Sequence, residues 1–235
     1  MTLSVCAYFW HDDRSKNRYA TDDVRLLQRM VNRHLTVPHE FVVITDRPEL
    51  FRDDSEIRAV PIDWTTHIPG RCFVKLMTFG PHMKAVGERV LVMDLDVIVT
   101  GNMDAIVDRY EPIVLWRNPT RVPWDNPSKP SRPYYNTSIV LHRTGTLTDL
   151  WMRFNPKRPI VRDDQWWVSG LLGPNVPYWD ASHGIYRIAR EDTPGSGVQG
   201  TLPENARIVF FPGSEGKATD PRVIAANPWI EGHWK

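Results

Sequence analysis

Short apolar runs alternate with helix-like segments through the first hundred residues, and this order restricts the fold more than any other feature. The sequence predicts strands at 3–9, 40–45, 57–62 and 89–99, and helices at 21–35 and 72–83. Thr21 is the predicted N-cap of the first helix, and Gly80-Pro81 interrupts the second. This order is typical of an open α/β sheet, in which ligands bind beyond the carboxyl ends of the strands.

The second half of the chain is less regular. It has predicted strands at 112–116, 134–142 and 206–211, and predicted helices at 147–154 and 163–172. Between the first two strands lies a proline-rich stretch, 117–133, without periodicity, which is predicted to be a loop. The aromatic segment at 227–235 is expected to pack back on the body of the protein.

Composition and charge narrow the classes of function. The chain has 235 residues, 41% of them apolar, which fits one domain with a packed core. A net charge of +1 gives no overall case for binding nucleic acid or a membrane surface. The charge is unevenly distributed, because the stretch 117–162 holds nine Lys or Arg against two Asp, a local charge of +7.

The sequence also bears on the cellular compartment. The apolar start, LSVCAYFW, is too short for a signal peptide, and no run approaches the length of a membrane span. Cys6 and Cys72 lie in apolar surroundings and are predicted to be buried free thiols. We therefore expect a cytoplasmic protein, in the host cytoplasm if a phage encodes it.

Two aspartates, Asp94 and Asp96, lie within the apolar run VLVMDLDVIVTGN. Unpaired buried carboxylates are costly, so something must neutralise them. One interpretation is structural, with the carboxylates capping a turn or pairing with arginines. The other is a metal site, since residues i and i+2 of a strand point the same way and Mg²⁺ or Mn²⁺ bridges carboxylates to phosphates.

A family resemblance runs through nearly the whole chain. The segment RCFVKLMTFGPHMKAVGERVLVMDLDVIVTGNMDAI resembles the core of the glycogenin-like retaining glycosyltransferases of the GT-A fold. YYNTSIVL, RDDQWWV and RIVFFPGSEGK resemble later blocks of this family, in family order, and PWIEGHWK is similar to the ending of small bacterial and phage members. The resemblance implies a single GT-A domain over 1–235, a Rossmann-like mixed sheet flanked by helices. Its nucleotide-binding half would be 1–102 and its sugar and acceptor half 103–235.

The resemblance also implies a UDP-sugar donor, a divalent metal (Mn²⁺ or Mg²⁺) and roles for individual residues. Asp94 and Asp96 would hold the metal, and Asp94 would also touch the donor. The residues implied to be catalytic are Lys75, Asp164 and Gln165. The other residues implied to bind the donor are Tyr8, Tyr19, Asn136, Ser138 and Lys217.

Several of these residues have structural alternatives. Lys75 could be a surface lysine, and Tyr19 could merely cover the start of a helix. Asn136 and Ser138 could be polar residues at a strand edge. Asp163 and Asp164 could simply favour the positive end of a helix.

The chain departs from the family pattern at the third metal ligand. The family usually supplies a histidine on its closing strand, where this chain has VFFPG. Glu215 and His233 are the substitutes to consider, or water and diphosphate complete the metal's coordination. The sequence also lacks a Walker loop, a GxGxxG motif and a GxSxG motif.

These features predict an enzyme that transfers a sugar from a UDP-sugar to an acceptor hydroxyl, with retention implied by the resemblance alone. No dedicated base is apparent, so the leaving phosphate would take the proton, and Asp164 is not expected to be a covalent nucleophile. One alternative is a catalytically inactive module that binds nucleotide-sugars. Another is a nucleic-acid-binding protein that uses the basic stretch 117–162.

The segment 116–133, here called the basic loop, bears on the identity of the acceptor. It contains Trp116 and Trp124 among the basic residues Arg117, Arg121, Lys129 and Arg132. Cations bind phosphates and indoles stack on bases or sugars, so we expect an acidic or nucleic-acid acceptor, such as a modified DNA base. An ordinary solvated loop is the alternative.

Overall fold

The computed structural model describes residues 2–11, 19–62, 71–119, 133–155, 161–189, 197–211 and 218–235. Its elements are two β-sheets with helices on both faces of the larger one. The strands are β1 Leu3–Phe9, β2 His39–Thr45, β3 Ile57–Pro61, β4 Arg89–Met93, β5 Val97–Val99, β6 Ile113–Arg117, β7 Tyr135–Arg143, β8 Tyr178–Trp179, β9 Ile185–Arg187 and β10 Ile208–Phe210. The α-helices are α1 Thr21–His34, α2 Asp104–Val107, α3 Asp149–Met152, α4 Asp164–Leu172, α5 Pro221–Ala226 and α6 Trp229–His233.

The larger sheet has seven strands in the order β3-β2-β1-β4-β7-β6-β8. The first four are parallel, whereas β7 runs antiparallel to both β4 and β6. The smaller sheet has the order β5-β10-β9. This is the mixed α/β architecture that the sequence predicted, and the larger sheet joins strands from both sides of residue 102.

Apolar side chains cover both faces of the larger sheet. On one face α1 buries Val24, Leu27 and Met30, which recur at helical spacing. On the other face a 3₁₀ helix, Arg71–Phe79, buries Val74 and Leu76. Because this 3₁₀ helix covers the sheet near β4, its polar side chains lie close to the end of that strand.

The predicted strand 89–99 is two strands in different sheets. β4 ends at Met93, opposite Ile139 of β7, and β5 begins at Val97 and pairs with β10. Asp94 and Asp96 lie in the turn between them, so the two-residue repeat of a regular strand does not set their directions. The prediction of one strand was wrong because an apolar run does not record a change of sheet.

Two further predictions differ from the structure in detail. The N-cap of α1 is Ala20 instead of Thr21, and the Asp23 carboxylate accepts a hydrogen bond from the Ala20 amide at 2.7 Å. The predicted helix at 72–83 is the 3₁₀ helix Arg71–Phe79 followed by a second one, Pro81–Ala85. The break falls at Gly80-Pro81, as expected.

The carboxyl-terminal segment packs on the body of the protein, as predicted. Ile230 of α6 is buried in the main core, and Trp229 and Trp234 pack against it. Cys6 is buried and Cys72 partly buried, and neither forms a disulfide. Across the described ranges, every helix is too short or too polar to cross a membrane.

Candidate active site

The candidate site lies where β4 ends and the chain turns towards the smaller sheet. Lys75 reaches this point from the 3₁₀ helix Arg71–Phe79 and donates hydrogen bonds to both carboxylate oxygens of Asp94, at 3.0 and 3.1 Å. The same ammonium lies 3.5 Å from Oδ2 of Asp164, in the first turn of α4. One cation therefore joins two carboxylates that are 70 residues apart in the sequence.

The charge on Lys75 is fixed by these neighbours. Burial disfavours the ammonium form, but the charges of Asp164 and Asp94 outweigh burial and raise the pKa of Lys75 above its ordinary value. Only 13% of the Lys75 side chain is exposed. The alternative of an exposed surface lysine is therefore wrong.

Asp164 is almost completely enclosed, with 1% of its surface exposed. The hydroxyl of Thr137, on β7, donates to its Oδ2 at 2.5 Å. The Cys72 thiol also contacts Asp164, and burial together with the charge of Asp164 raises the pKa of that thiol to about 12. Nothing in the sequence alone distinguishes Thr137 or indicates a contact for Cys72.

The preceding residue, Asp163, caps a helix. Its carboxylate is the N-cap of α4 and accepts a hydrogen bond from the Trp166 amide at 3.0 Å. Burial raises the pKa of Asp163. The helix-start interpretation is thus confirmed for Asp163, whereas the carboxylate of Asp164 faces Lys75 and Thr137.

Asn136 and Ser138 flank Thr137 on β7, and both are buried. The Asn136 amide donates to Oε1 of Gln165 at 3.4 Å, and its Oδ1 accepts from the Ser138 amide at 2.7 Å. The main chain of Ser138 accepts from the Asp94 amide at 2.9 Å. These contacts tie the YYNTS and DDQWW motifs to the first aspartate.

An irregularity in β7 accompanies these contacts. The register against β6 shifts between Leu115, which faces Val140, and Trp116, which faces Asn136. A shift of this kind redirects side chains and is frequent beside active sites. It falls on the part of β7 that carries the polar residues.

Tyr19, just before α1, contacts the second aspartate. Its hydroxyl donates to Oδ2 of Asp96 at 2.8 Å. Burial, and then the charges of Asp96 and Asp94, raise the pKa of Tyr19, so the phenol stays protonated and donates. A role of Tyr19 in donor binding stays a prediction, and the structure adds this contact.

Four further residues were predicted for the site, namely Tyr8, Lys217, Glu215 and His233. Tyr8 is buried on β1, with its hydroxyl 3.0 Å from that of Thr78, so its part in donor binding stays a prediction. Lys217 and Glu215 fall outside the described residues. His233 lies near Arg33, at the carboxyl end of α1.

The position of His233 along α1 argues against it as the substitute metal ligand. Tyr19, which holds Asp96, precedes the amino end of α1, and α1 has 14 residues. A helix of that length is about 21 Å long. His233 therefore lies at the other end of α1 from Tyr19, the residue that contacts Asp96.

The two aspartates remain the residues that fit a divalent metal. Each carboxylate has about four lone-pair positions, so a carboxylate that accepts hydrogen bonds from Lys75 or Tyr19 can also coordinate a metal. An all-oxygen set of this kind suits Mg²⁺ or Mn²⁺. Within the described ranges, no three His, Cys, Asp or Glu side chains converge, so diphosphate and water would supply further ligands.

The basic loop is described only at its ends, and one of its residues differs from expectation. Trp116 is buried, donates from Nε1 to the Ile185 carbonyl at 3.0 Å and packs on Phe210, so it cannot stack on an acceptor. The Arg117 guanidinium lies 4.6 Å from the ring centroid of Tyr178. Arg121, Trp124, Lys129 and Arg132 are outside the described residues.

Comparison with known proteins places this geometry in a known fold. No family model matches the chain, and no curated protein matches its sequence. Among solved structures, the galactosyltransferase LgtC in complex with donor and acceptor sugar analogs has a TM-score of 0.58 and 15% identity, covering 96% of this chain and 94% of LgtC. An active-site mutant of LgtC, with glutamine changed to glutamate, has a TM-score of 0.60 and 14% identity, with coverages of 97% and 95%.

A third solved structure extends the comparison. The bifunctional glycosyltransferase WbbM, in its apo form, has a TM-score of 0.60 and 12% identity, and the match covers 98% of this chain but 51% of WbbM. These neighbours are GT-A glycosyltransferases. The chain therefore has the GT-A fold that its motifs predicted. The match to glycosyltransferases extends over almost its full length.

Proposed function

We propose that this chain is an enzyme that transfers a sugar from a UDP-sugar to an acceptor hydroxyl, with retention and with the help of a divalent metal. One observation carries the proposal: Lys75, Asp94 and Asp164 form an ion cluster at the carboxyl edge of the parallel strands. In open α/β sheets this edge is where ligands bind. The fold match to LgtC, solved with donor and acceptor sugar analogs, supports a sugar as the ligand.

Asp94 and Asp96 would hold the metal through their carboxylate oxygens. A bound Mg²⁺ or Mn²⁺ supplies positive charge that offsets the negative charge of a departing diphosphate. Lys75 is held as a cation, so it can donate hydrogen bonds to donor oxygens and cannot act as a base. Its proposed role is to stabilise negative charge that develops near Asp94.

Asp164 and Gln165 are proposed to face the donor sugar. Asp164 is enclosed by Thr137 and Lys75, which supports a role in placing neighbouring groups and argues against a covalent nucleophile. Gln165 is partly exposed next to it, and a glutamine belongs to the active site of LgtC. The proton of the acceptor hydroxyl would pass to an oxygen of the leaving phosphate.

The test is turnover of a panel of nucleotide-sugars by the full chain. Each donor is incubated with and without Mn²⁺, and mass spectrometry measures the free nucleotide released. We expect UDP from one UDP-sugar, in a metal-dependent reaction. Binding of UDP without turnover of any donor would indicate an inactive module, and tight, salt-sensitive binding to plain DNA would indicate a nucleic-acid-binding protein.

A further inference from the structure

Thr137 is a polar residue in a buried part of β7. Its exposed fraction is 4%, and the residues that follow it on the strand, from Ile139 to Leu141, belong to the core. A hydroxyl enclosed in this way needs a hydrogen-bond partner, and Thr137 has one in Asp164. The contact joins the irregular part of β7 to the first turn of α4.

The distances show how the ion cluster is balanced. Oδ2 of Asp164 lies 2.5 Å from the Thr137 hydroxyl and 3.5 Å from the Lys75 ammonium. The same ammonium lies 3.0 Å from Asp94. Lys75 is thus drawn to Asp94, while the hydroxyl makes the shorter contact with Asp164.

Without that hydroxyl, Asp164 would be a buried carboxylate with the Lys75 ammonium and the Cys72 thiol among its remaining partners. Such a group would move closer to the cation, because an under-satisfied buried charge is costly. That movement would change the position of the Lys75 ammonium. Loss of the Thr137 hydroxyl would therefore change how one cation is shared between two carboxylates.

We propose that Thr137 is a positioning residue: its hydroxyl holds Asp164 so that Lys75 stays on Asp94, on the side where the donor binds. This inference rests on the proposed function, because the effect of the position of Lys75 is read out as donor turnover. Thr137 itself would touch neither the donor nor the metal.

Two substitutions at the same position separate the hydroxyl from the shape of the side chain. Thr137→Val removes the hydroxyl and keeps the volume, whereas Thr137→Ser keeps the hydroxyl. Thr144→Val is the matched control, since Thr144 is also buried and donates to a main-chain carbonyl, that of Gly87, at 2.8 Å. Thr144 follows the other end of β7, where that strand pairs with the start of β4.

The measurements are kcat and KM for release of UDP from the donor that the wild type accepts, the Kd for UDP, and Tm. A hydrogen bond to a charged group of this kind corresponds to roughly a 10- to 100-fold change in rate. We expect Thr137→Val to lose that factor in kcat with little change in the Kd for UDP. We expect Thr137→Ser to recover most of the activity, and Thr144→Val to lower Tm without changing kcat.

The outcomes distinguish this inference from the proposed function. If the wild type releases UDP and Thr137→Val matches it in kcat, the inference about Thr137 is wrong and the proposed function stands. If Thr137→Ser loses as much as Thr137→Val, the hydroxyl is not what matters and the inference is again wrong. If the wild type releases nucleotide from no donor, the proposed function is wrong and the inference is overturned with it.

Discussion

The Lys75 ammonium lies almost equally far from the two carboxylate oxygens of Asp94, at 3.0 and 3.1 Å. A charge-assisted contact of this kind holds the carboxylate plane in place and leaves its outer lone pairs for another cation. Because Lys75 also faces the enclosed Asp164, its removal affects stability as well as turnover.

Replacing Lys75 by Met should therefore destabilise the protein and abolish donor turnover. Breaking a buried ion pair from one side costs about 3–5 kcal/mol, because the remaining charge is uncompensated. The double substitution Lys75→Met with Asp164→Asn should regain much of the free energy of unfolding but none of the turnover. Urea denaturation and UDP release measure the two effects, with the exposed Lys84→Met as the control. Equal stability of Lys75→Met and Lys84→Met would contradict the buried pair.

Asp96→Asn should keep the fold and lose donor turnover by roughly a thousandfold or more, as expected when a metal-bound carboxylate is removed. The amide oxygen can still accept the hydrogen bond from Tyr19, so stability should change little. UDP release in the presence of Mn²⁺ and thermal unfolding provide the measurements. Full activity of this variant with metal present would rule out Asp96 as a metal ligand.

Affinity for Mn²⁺ should be weak in the free protein and rise sharply with UDP. The reason is that two carboxylates supply few ligands, and the diphosphate oxygens would supply more. Calorimetric titration of Mn²⁺ with and without UDP measures the difference. Tight binding of Mn²⁺ alone would point to a further protein ligand, and Glu215 would be the first residue to replace.

Acid should destabilise the protein through His142. Burial lowers the pKa of His142 to about 4, against about 6.5 in an unfolded chain. The unfolded state therefore binds more protons between these two pH values, and the free energy of unfolding should fall by up to about 3 kcal/mol as the pH drops from 6.5 to 4. Above pH 6.5 this group contributes no pH dependence.

The check is urea denaturation at pH 7.5, 5.5 and 4.5 for the wild type and His142→Leu. His142 packs against Phe79, with ring centroids 5.4 Å apart, so an aliphatic side chain suits the position. The variant should lose stability less steeply with acid than the wild type. Parallel pH profiles for the two proteins would show that the acid sensitivity arises elsewhere.

The sequence predicted the parts of the fold that are set by local patterns. The apolar spacing of α1 and the apolar runs of β1 and β2 are such patterns, because burial on one or both faces dictates them. The change of sheet at Asp94 to Asp96 could not be predicted in this way. It depends on pairing with β10, more than a hundred residues later.

Residues of the candidate active site were likewise predicted where a sequence motif marks them and missed where only a tertiary contact does. Lys75, Asp94, Asp164 and Gln165 were found through motifs in family order, and the structure brings them together. Thr137 was missed because a threonine in a strand is ordinary, and only the tertiary contact with Asp164 distinguishes it. Trp116 was assigned to the loop surface from its neighbours in sequence, whereas β6 continues through it and buries it.

The change of sheet after Met93 also has a consequence for synthesis on the ribosome. β4 cannot complete its pairing until β7 has emerged, and β5 has no partner until β10 has been made. Chains are made from the amino end at about 5–20 residues per second, so these apolar strands wait several seconds for their partners. The nascent chain exposes open strand edges during that interval, and such edges are prone to pair with other chains until residue 210 has been made.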